Sequence, residues 1–528
     1  MTRPSAPAAA ERRQVAVLDI GATAIRMEIA EIAPGEPPRT LERLSQPVHL
    51  GKDTFTTGSI GRPTIEEAVR ILREYRRRVD EYGIRSPDRI RAIATSAVKE
   101  AANRDAFLDR VYVATGFDVE CAEDADLVRL TYLAVRHLRW KGRQPDPALV
   151  VEVGGGSTEV LLLRGGRVEF YETYPLGSVR LRETLEAGRV PAPRQRRTLE
   201  RDIRRIVDQM VAASPITRVG TLIAISGDVR FAAEQLSPDW DSVEIGAVTP
   251  AELSRFADEV LVAPQEDLVA RHGLSFTEAE TTGPSLLAYG MIAAAFGVRQ
   301  ILVPKVHLRT AMELEMSIRP ELAEEFRDRI RDAAGMLAER YHADLEHADH
   351  VAALALRLFD ALGPLHGLGF HQRFLLEIAA RLHEVGLYVS NRSHHKHSMY
   401  LIQNSELFGV RQEDLLLIAL IARYHRKSPP LPTHPGYGAL PRNQRVVVQK
   451  LAAILRVADA LDRAHRRRIR DVEVRPRGDR LVLLAPGAGD LTIERMALRE
   501  KGRMFEELFG MAIDLTRAPA EPEDADHV

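Results

Sequence analysis

Val151-Glu152-Val153-Gly154-Gly155-Gly156-Ser157-Thr158-Glu159-Val160-Leu161-Leu162-Leu163 reads as two apolar strands joined by a turn of small residues. A carboxylate, Glu152, stands at the mouth of the first strand. The same order occurs near the start of the chain. The apolar run 15–18 leads into Asp19-Ile20-Gly21-Ala22-Thr23, and an alternating strand follows over 25–30. Two copies of strand, acid, glycine turn and strand predict a duplicated α/β architecture with a cleft between its halves.

Between the copies, apolar periodicity predicts a helix over 64–82, with Pro63 in its first turn. A strand over 90–94 then runs into Thr95-Ser96-Ala97 and a helix. Beyond the second copy come an arginine-rich helix over 193–213, a strand over 221–225 ending in Ser226-Gly227-Asp228, and a helix over 284–296. Such alternation indicates α/β layers. After about residue 307 the pattern turns helical and histidine-rich, until strand alternation returns at 472–475 and 481–484. The expected organisation is a disordered arm over 1–14, two α/β subdomains over 15–135 and 136–310, a helical domain over 311–470, a small α+β segment over 471–517 and a frayed tail over 518–528.

Composition narrows the function classes. Lys+Arg total 73 against 75 for Asp+Glu, a net charge of −2 that argues against a general nucleic-acid binder. The single cysteine, Cys121, excludes an intrachain disulfide and a cysteine-built zinc site, and fits a reducing compartment. No apolar run approaches the ~18–20 residues that cross a bilayer.

Glycine turns at strand ends let backbone N–H groups approach an anion unobstructed, making a cradle for phosphate oxygens. Gly21 and Thr23 in the first turn, and Gly154, Gly155, Gly156 and Ser157 in the second, are the candidate phosphate contacts. Asp19 and Glu152 are placed to hold Mg²⁺ or Mn²⁺, and Arg26 and Lys99 to meet the polyanion's charge. Either turn alone reads as an ordinary tight hairpin with an exposed acid. The repetition is what favours a phosphate cradle.

These residues resemble the exopolyphosphatase/guanosine pentaphosphate phosphohydrolase (Ppx/GppA) family. The resemblance rests on VLDIGATAIRMEIA at 17–30, AIATSAVKEAANRDAFL at 92–108, VEVGGGSTEVLLL at 151–163 and LGSVRL at 176–181. It continues through AARLHEVGLYVSNRSHHKHSMYLIQNSELFG at 379–409, RYHRK at 423–427 and LRVADALDRAH at 455–465. It implies a duplicated actin/Hsp70/sugar-kinase-like fold followed by an HD-like helical domain. It also implies release of terminal orthophosphate from inorganic polyphosphate or guanosine pentaphosphate with Mg²⁺, in a cytoplasmic homodimer. In that family a glutamate activates the attacking water. Position by position, Asp126 takes the base role here, with Glu123 as the fallback.

The chain departs from the family pattern in several places. Ala22 and Ala24 replace polar turn residues, Glu152 replaces an Asp, and Leu127 stands where a second glutamate belongs. A one-methylene displacement of a reacting group is worth up to about a hundredfold in rate. These changes leave a phosphate- or alarmone-binding regulator as the alternative reading. A kinase on the same fold is a further rival; it would need an adenosine pocket, to which the Ser226-Gly227-Asp228 turn could contribute, and nothing else in the sequence demands one.

In the helical part, His347, His383 and Asp459 fit three ligand places of HD-type metal phosphohydrolases, with Glu384 in the fourth. Exopolyphosphatases carry the same His-Glu variant in a domain not credited with chemistry. The first expectation is therefore a metal-free structural domain, ahead of a non-catalytic ion or a second hydrolase site. His394, His395 and His397 read as surface or packing residues. The arginine clusters at 194–205, 423–427 and 463–470 read as solvated faces or as a track for a long polyanion.

Overall fold

The computed structural model describes residues 12–33, 36–136, 138, 140, 144–237, 240, 243–317, 320–405, 407 and 409–518. Most of the predicted arm and nearly all of the predicted tail lie outside these residues. The chain divides into two compact units, 1–324 and 325–528.

The first unit contains two sheets of one design. Strands β1 (Arg13–Ile20), β2 (Ala24–Ile32), β3 (Arg39–Pro47), β4 (Ile90–Ala94) and β5 (Val119–Cys121) lie in the order β3-β2-β1-β4-β5. In the second half come β6 (Ala148–Val153), β7 (Thr158–Arg164), β8 (Arg167–Tyr174), β9 (Thr221–Ile225), β10 (Ile245–Val248) and β11 (Gln300–Pro304). Their order is β10-β11-β9-β6-β7-β8. Each half opens with an antiparallel hairpin, β1–β2 or β6–β7, whose first strand then pairs in parallel with the next strand, β4 or β9. The edge strand β10 is the one addition. β1 and β6 are buried on both faces, as parallel-sheet centres require, and this accounts for their unbroken apolar runs.

Helices cover these sheets. The helix Arg62–Glu81 begins with Pro63 in its first turn and buries Ile65, Val69, Leu72 and Tyr75 on one stripe. The predicted helix at 284–296 in fact spans Phe276–Ala295. Ser275 and Glu278 form a capping box that starts it eight residues earlier, and Pro284 sits inside it. The first unit closes with the helix Leu308–Ser317, which packs on β1 and β2.

In the second unit the helices Leu345–Ala361, Phe370–Leu382, Gln412–Arg423 and Arg442–Leu461 surround one apolar core. A three-stranded sheet, β12 (Glu473–Arg477), β13 (Arg480–Pro486) and β14 (Ala512–Ala518), contributes Leu481, Leu483 and Leu515 to that same core. Among the described residues, no helix is long and apolar enough to cross a membrane.

Candidate functional site

Both glycine turns are closed in the same way: Gly21 N–H donates to Ala24 O at 3.0 Å, and Gly154 N–H to Ser157 O at 2.9 Å. The turns meet. A Cβ on Gly155 would lie 2.6 Å from that of Ala22, and one on Gly156 would lie 2.4 Å from both Phe55 Cζ and Ser96 Oγ. Glycine is therefore required in the second turn by close approach to the first half. The LGSVRL segment backs this turn: Ser178 N–H donates to Gly154 O at 2.9 Å and Val179 N–H to Gly155 O at 3.0 Å. Tyr289 pins its base by accepting from Val153 N–H at 2.9 Å and donating to Ile225 O at 2.8 Å.

A cleft of about 310 Å³ opens beside the meeting point. Of the predicted residues it brings together Asp19, Gly21, Thr23, Arg26, Glu152, Gly154 and Gly155. Gly156, Ser157 and Lys99 line a neighbouring cavity of about 170 Å³ with Ser96, Asp124 and Leu127. The second turn thus contributes to two cavities, Gly154–Gly155 to one and Gly156–Ser157 to the other.

Charge in the larger cleft is mixed. Burial pushes Glu152 up to about 7; the hydrogen bond from Thr131 Oγ1 at 2.8 Å opposes this and the charge of Asp19 adds to it. Arg309 reaches Asp19 at 3.4 Å and the buried Glu28 at 3.7 Å. Burial, with Arg309 nearby, lowers Arg230 to about 10. His307 lies among these arginines and is held well below its usual value, first by burial and then by Arg309 and Arg230. The Arg26 guanidinium lines the cleft with no hydrogen bond or ion pair to the described residues, and so is available to a ligand.

Around the smaller cavity, Lys99 pairs with Asp124 at 2.6 Å and Glu123 at 3.1 Å. Burial works against its charge, but these two acids prevail and its pKa is raised. Neither Asp126 nor Glu123 is among the residues lining the two cavities. The Asp126 carboxylate accepts from Glu123 N–H at 3.3 Å and lies 3.5 Å from Arg129. The cause is local: Asp126 is the third residue of the helix Asp124–Arg136, the place from which an acid reaches back to cap the helix start. Asp124 and Leu127, not Asp126, are the residues of that turn that line the cavity with the glycine loop.

Several residues of this region escaped the sequence reading. Glu159 lies opposite Glu152 across the β6–β7 ladder, is 4% exposed, and accepts from Ser157 Oγ at 2.7 Å. Burial, with Glu152's charge adding, raises it to about 8. An acid two residues into an apolar strand was the available signal. Arg230 and Arg309 carried none, since nothing in their local sequence sets them apart from other helical arginines.

In the second unit, His347, His383 and Asp459 come together with ligand atoms within 4.8 Å of one another, and Glu384 joins overlapping sets with His465 and with His394 and His425. His394 and His395 are buried, 4% and 8% exposed, so of the two readings, surface or packing, packing holds for these two. Packing of the helix His394–Gln403 against Gln412–Arg423 encloses them.

Comparison with known proteins places the chain in a family. The chain is 24% identical to the guanosine-5'-triphosphate,3'-diphosphate pyrophosphatase of Vibrio vulnificus over 475 residues, 89% of this chain and 91% of the relative. The Vibrio parahaemolyticus protein of the same name is 24% identical over 481 residues, with the same coverage. The crystal structure of an exopolyphosphatase from Cytophaga hutchinsonii shares the fold, with a TM-score of 0.52 at 19% identity over 58% of this chain and 99% of that one. A model of the Ppx/GppA phosphatase domain III matches residues 329–482. The model of the family itself matches residues 28–317, more than half of the chain, and so this protein belongs to the Ppx/GppA phosphatase family.

Proposed function

We propose that the protein hydrolyses the terminal phosphoanhydride of inorganic polyphosphate or guanosine pentaphosphate and releases orthophosphate. The observation that carries this reading is the meeting of two glycine turns between cavities lined by Arg26, Arg230, Arg309 and Lys99. A phosphate tail laid over Gly154–Ser157 meets backbone N–H groups along the turn and a guanidinium or ammonium on either side. Positioning and charge neutralisation are the main demands of phosphoryl transfer.

The terminal phosphate lies at the Lys99 end, where the Lys99 ammonium meets its oxygens. Asp126 is committed to its helix start, so we assign the water's proton to Glu123, whose carboxylate stands 3.1 Å from Lys99 Nζ. Asp19 and Glu152 suit Mg²⁺ or Mn²⁺: both are oxygen donors lining one cleft, and the charge of Asp19 raises Glu152, as expected of neighbouring acids that share a cation. When bound, that cation neutralises charge on the phosphate oxygens. The HD-like character of the helical domain, homodimerisation and a cytoplasmic location remain part of this proposal on the strength of the family resemblance.

Phosphate release from both substrates, with and without Mg²⁺, tests the reading. Glu123→Gln is expected to lower kcat at least about 100-fold, the usual worth of a positioned base, and Asp126→Asn to change it less than about threefold. Unchanged turnover in Glu123→Gln removes the base assignment. The position of Leu127 favours one second reading, a binding regulator; tight polyphosphate binding by the unaltered protein without phosphate release selects it.

A further inference from the structure

The histidine-rich core of the second unit holds side chains that the chemistry above does not use. Nδ1 of His347 is hydrogen-bonded to Asp462 at 2.8 Å, Nδ1 of His383 to Ala380 O at 2.6 Å, and Nδ1 of His425 to Ala422 O at 2.7 Å. Tying down Nδ1 in this way orients the ring and turns Nε2 inward, the arrangement that outer-shell partners impose on ligating histidines. Nε2 of His347, Nε2 of His383 and Oε2 of Glu384 are buried with no hydrogen-bond partner. The two rings are 2% and 0% exposed, so no outside group supplies one.

An unpaired buried polar atom costs about 1–3 kcal/mol, and several of them converge here. Their spacing suits a shared ion. His347 Nε2 lies 3.9 Å from both Glu384 Oε2 and Asp459 Oδ1. The ligand atoms of His347, His383 and Asp459 all lie within 4.8 Å of one another. Positive charge is already drawn to the cluster: Lys501 Nζ contacts Asp459 Oδ2, and Arg426 approaches His394 at 3.2 Å.

We propose that this cluster binds a divalent first-row transition-metal ion through Nε2 of His347, Nε2 of His383 and the carboxylate of Asp459, with Glu384 beside it. Lys501 leaves Asp459 as the ion enters. The mixed nitrogen and oxygen donors select an ion of the zinc, manganese or iron kind over magnesium. Bound there, the ion fastens the helix Leu345–Ala361 to the end of Phe370–Leu382 and to Arg442–Leu461. The inference does not depend on the phosphate-releasing site.

The test uses the full chain, stripped with a chelator and titrated with Co²⁺. It is followed by the visible absorption of histidine-ligated cobalt and by Tm. One equivalent is expected to give the histidine–cobalt bands and a rise in Tm, any ion taken up by the carboxylates of the cleft adding none of those bands. His383→Gln and Asp459→Asn are each expected to weaken binding at least tenfold. Lys501→Met is expected to strengthen it severalfold by removing the competing ammonium. Asp19→Asn should leave it unchanged, which separates this centre from the cleft. Absence of cobalt bands in the unaltered protein overturns the proposal. If the ligand variants do not fold, unchanged or weaker binding by Lys501→Met overturns it equally.

Discussion

Glu313 is 2% exposed, its Oε1 has no hydrogen-bond partner, and burial, with Glu28 adding, raises it to about 8. In the unfolded chain such an acid titrates near 4.5. Between these two values the folded state holds the proton and the unfolded state does not, so stability falls as pH rises from about 4.5 to about 8. Glu313→Gln is therefore expected to flatten that part of the Tm-versus-pH curve and to raise Tm at pH 8.5; an unchanged curve would remove Glu313 as its cause. Single residues were also where the sequence was least legible. Asp126 and Leu127 are neighbours, and which of them faces the glycine loop depends on how the helix start is capped. Alignment by position could not show that Asp126 is taken by the Glu123 N–H.

At the scale of elements, the turns are constrained by what stands against them. A Cβ on Gly177 would lie 2.3 Å from Gly155 O, a backbone atom that cannot swing aside. Gly177→Ala is expected to cost about 1–3 kcal/mol of stability by forcing the segment off the second turn, with phosphate release falling in parallel. Thermal melting together with kinetics checks this, and an unperturbed Tm would overturn it. Strand–turn–strand units were readable because burial on both faces produces unbroken apolar runs flanked by glycine. The helix Phe276–Ala295 was read short because Pro284 resembles a first-turn proline, while the true start is marked by Ser275 and Glu278. β3 was missed because it alternates with many charged residues at a sheet edge.

Across the first unit, the duplication was legible as a repeated word, and the matching strand orders give it physical form. The chain's long-range ties were not legible. Arg180, from the second half, grips Glu100 of the first through both carboxylate oxygens at 2.8 Å while donating to Gly156 O at 3.0 Å. This pair is partly exposed, so Glu100→Gln is expected to lower Tm by no more than about 4 °C, consistent with a surface pair worth up to about 1 kcal/mol. KM for polyphosphate is nevertheless expected to rise severalfold, because the halves lose the fork that keeps their turns in register. Equal KM values would show that the turns hold their register unaided. Arg309 ties the unit together in another way, by spanning Asp19 and Glu28. Without the acid at position 28, that guanidinium would lean on Asp19 alone, and the cation proposed for Asp19 would meet an unshared positive charge. A side chain sealed from every solute thus governs how much positive charge the doorway keeps for itself.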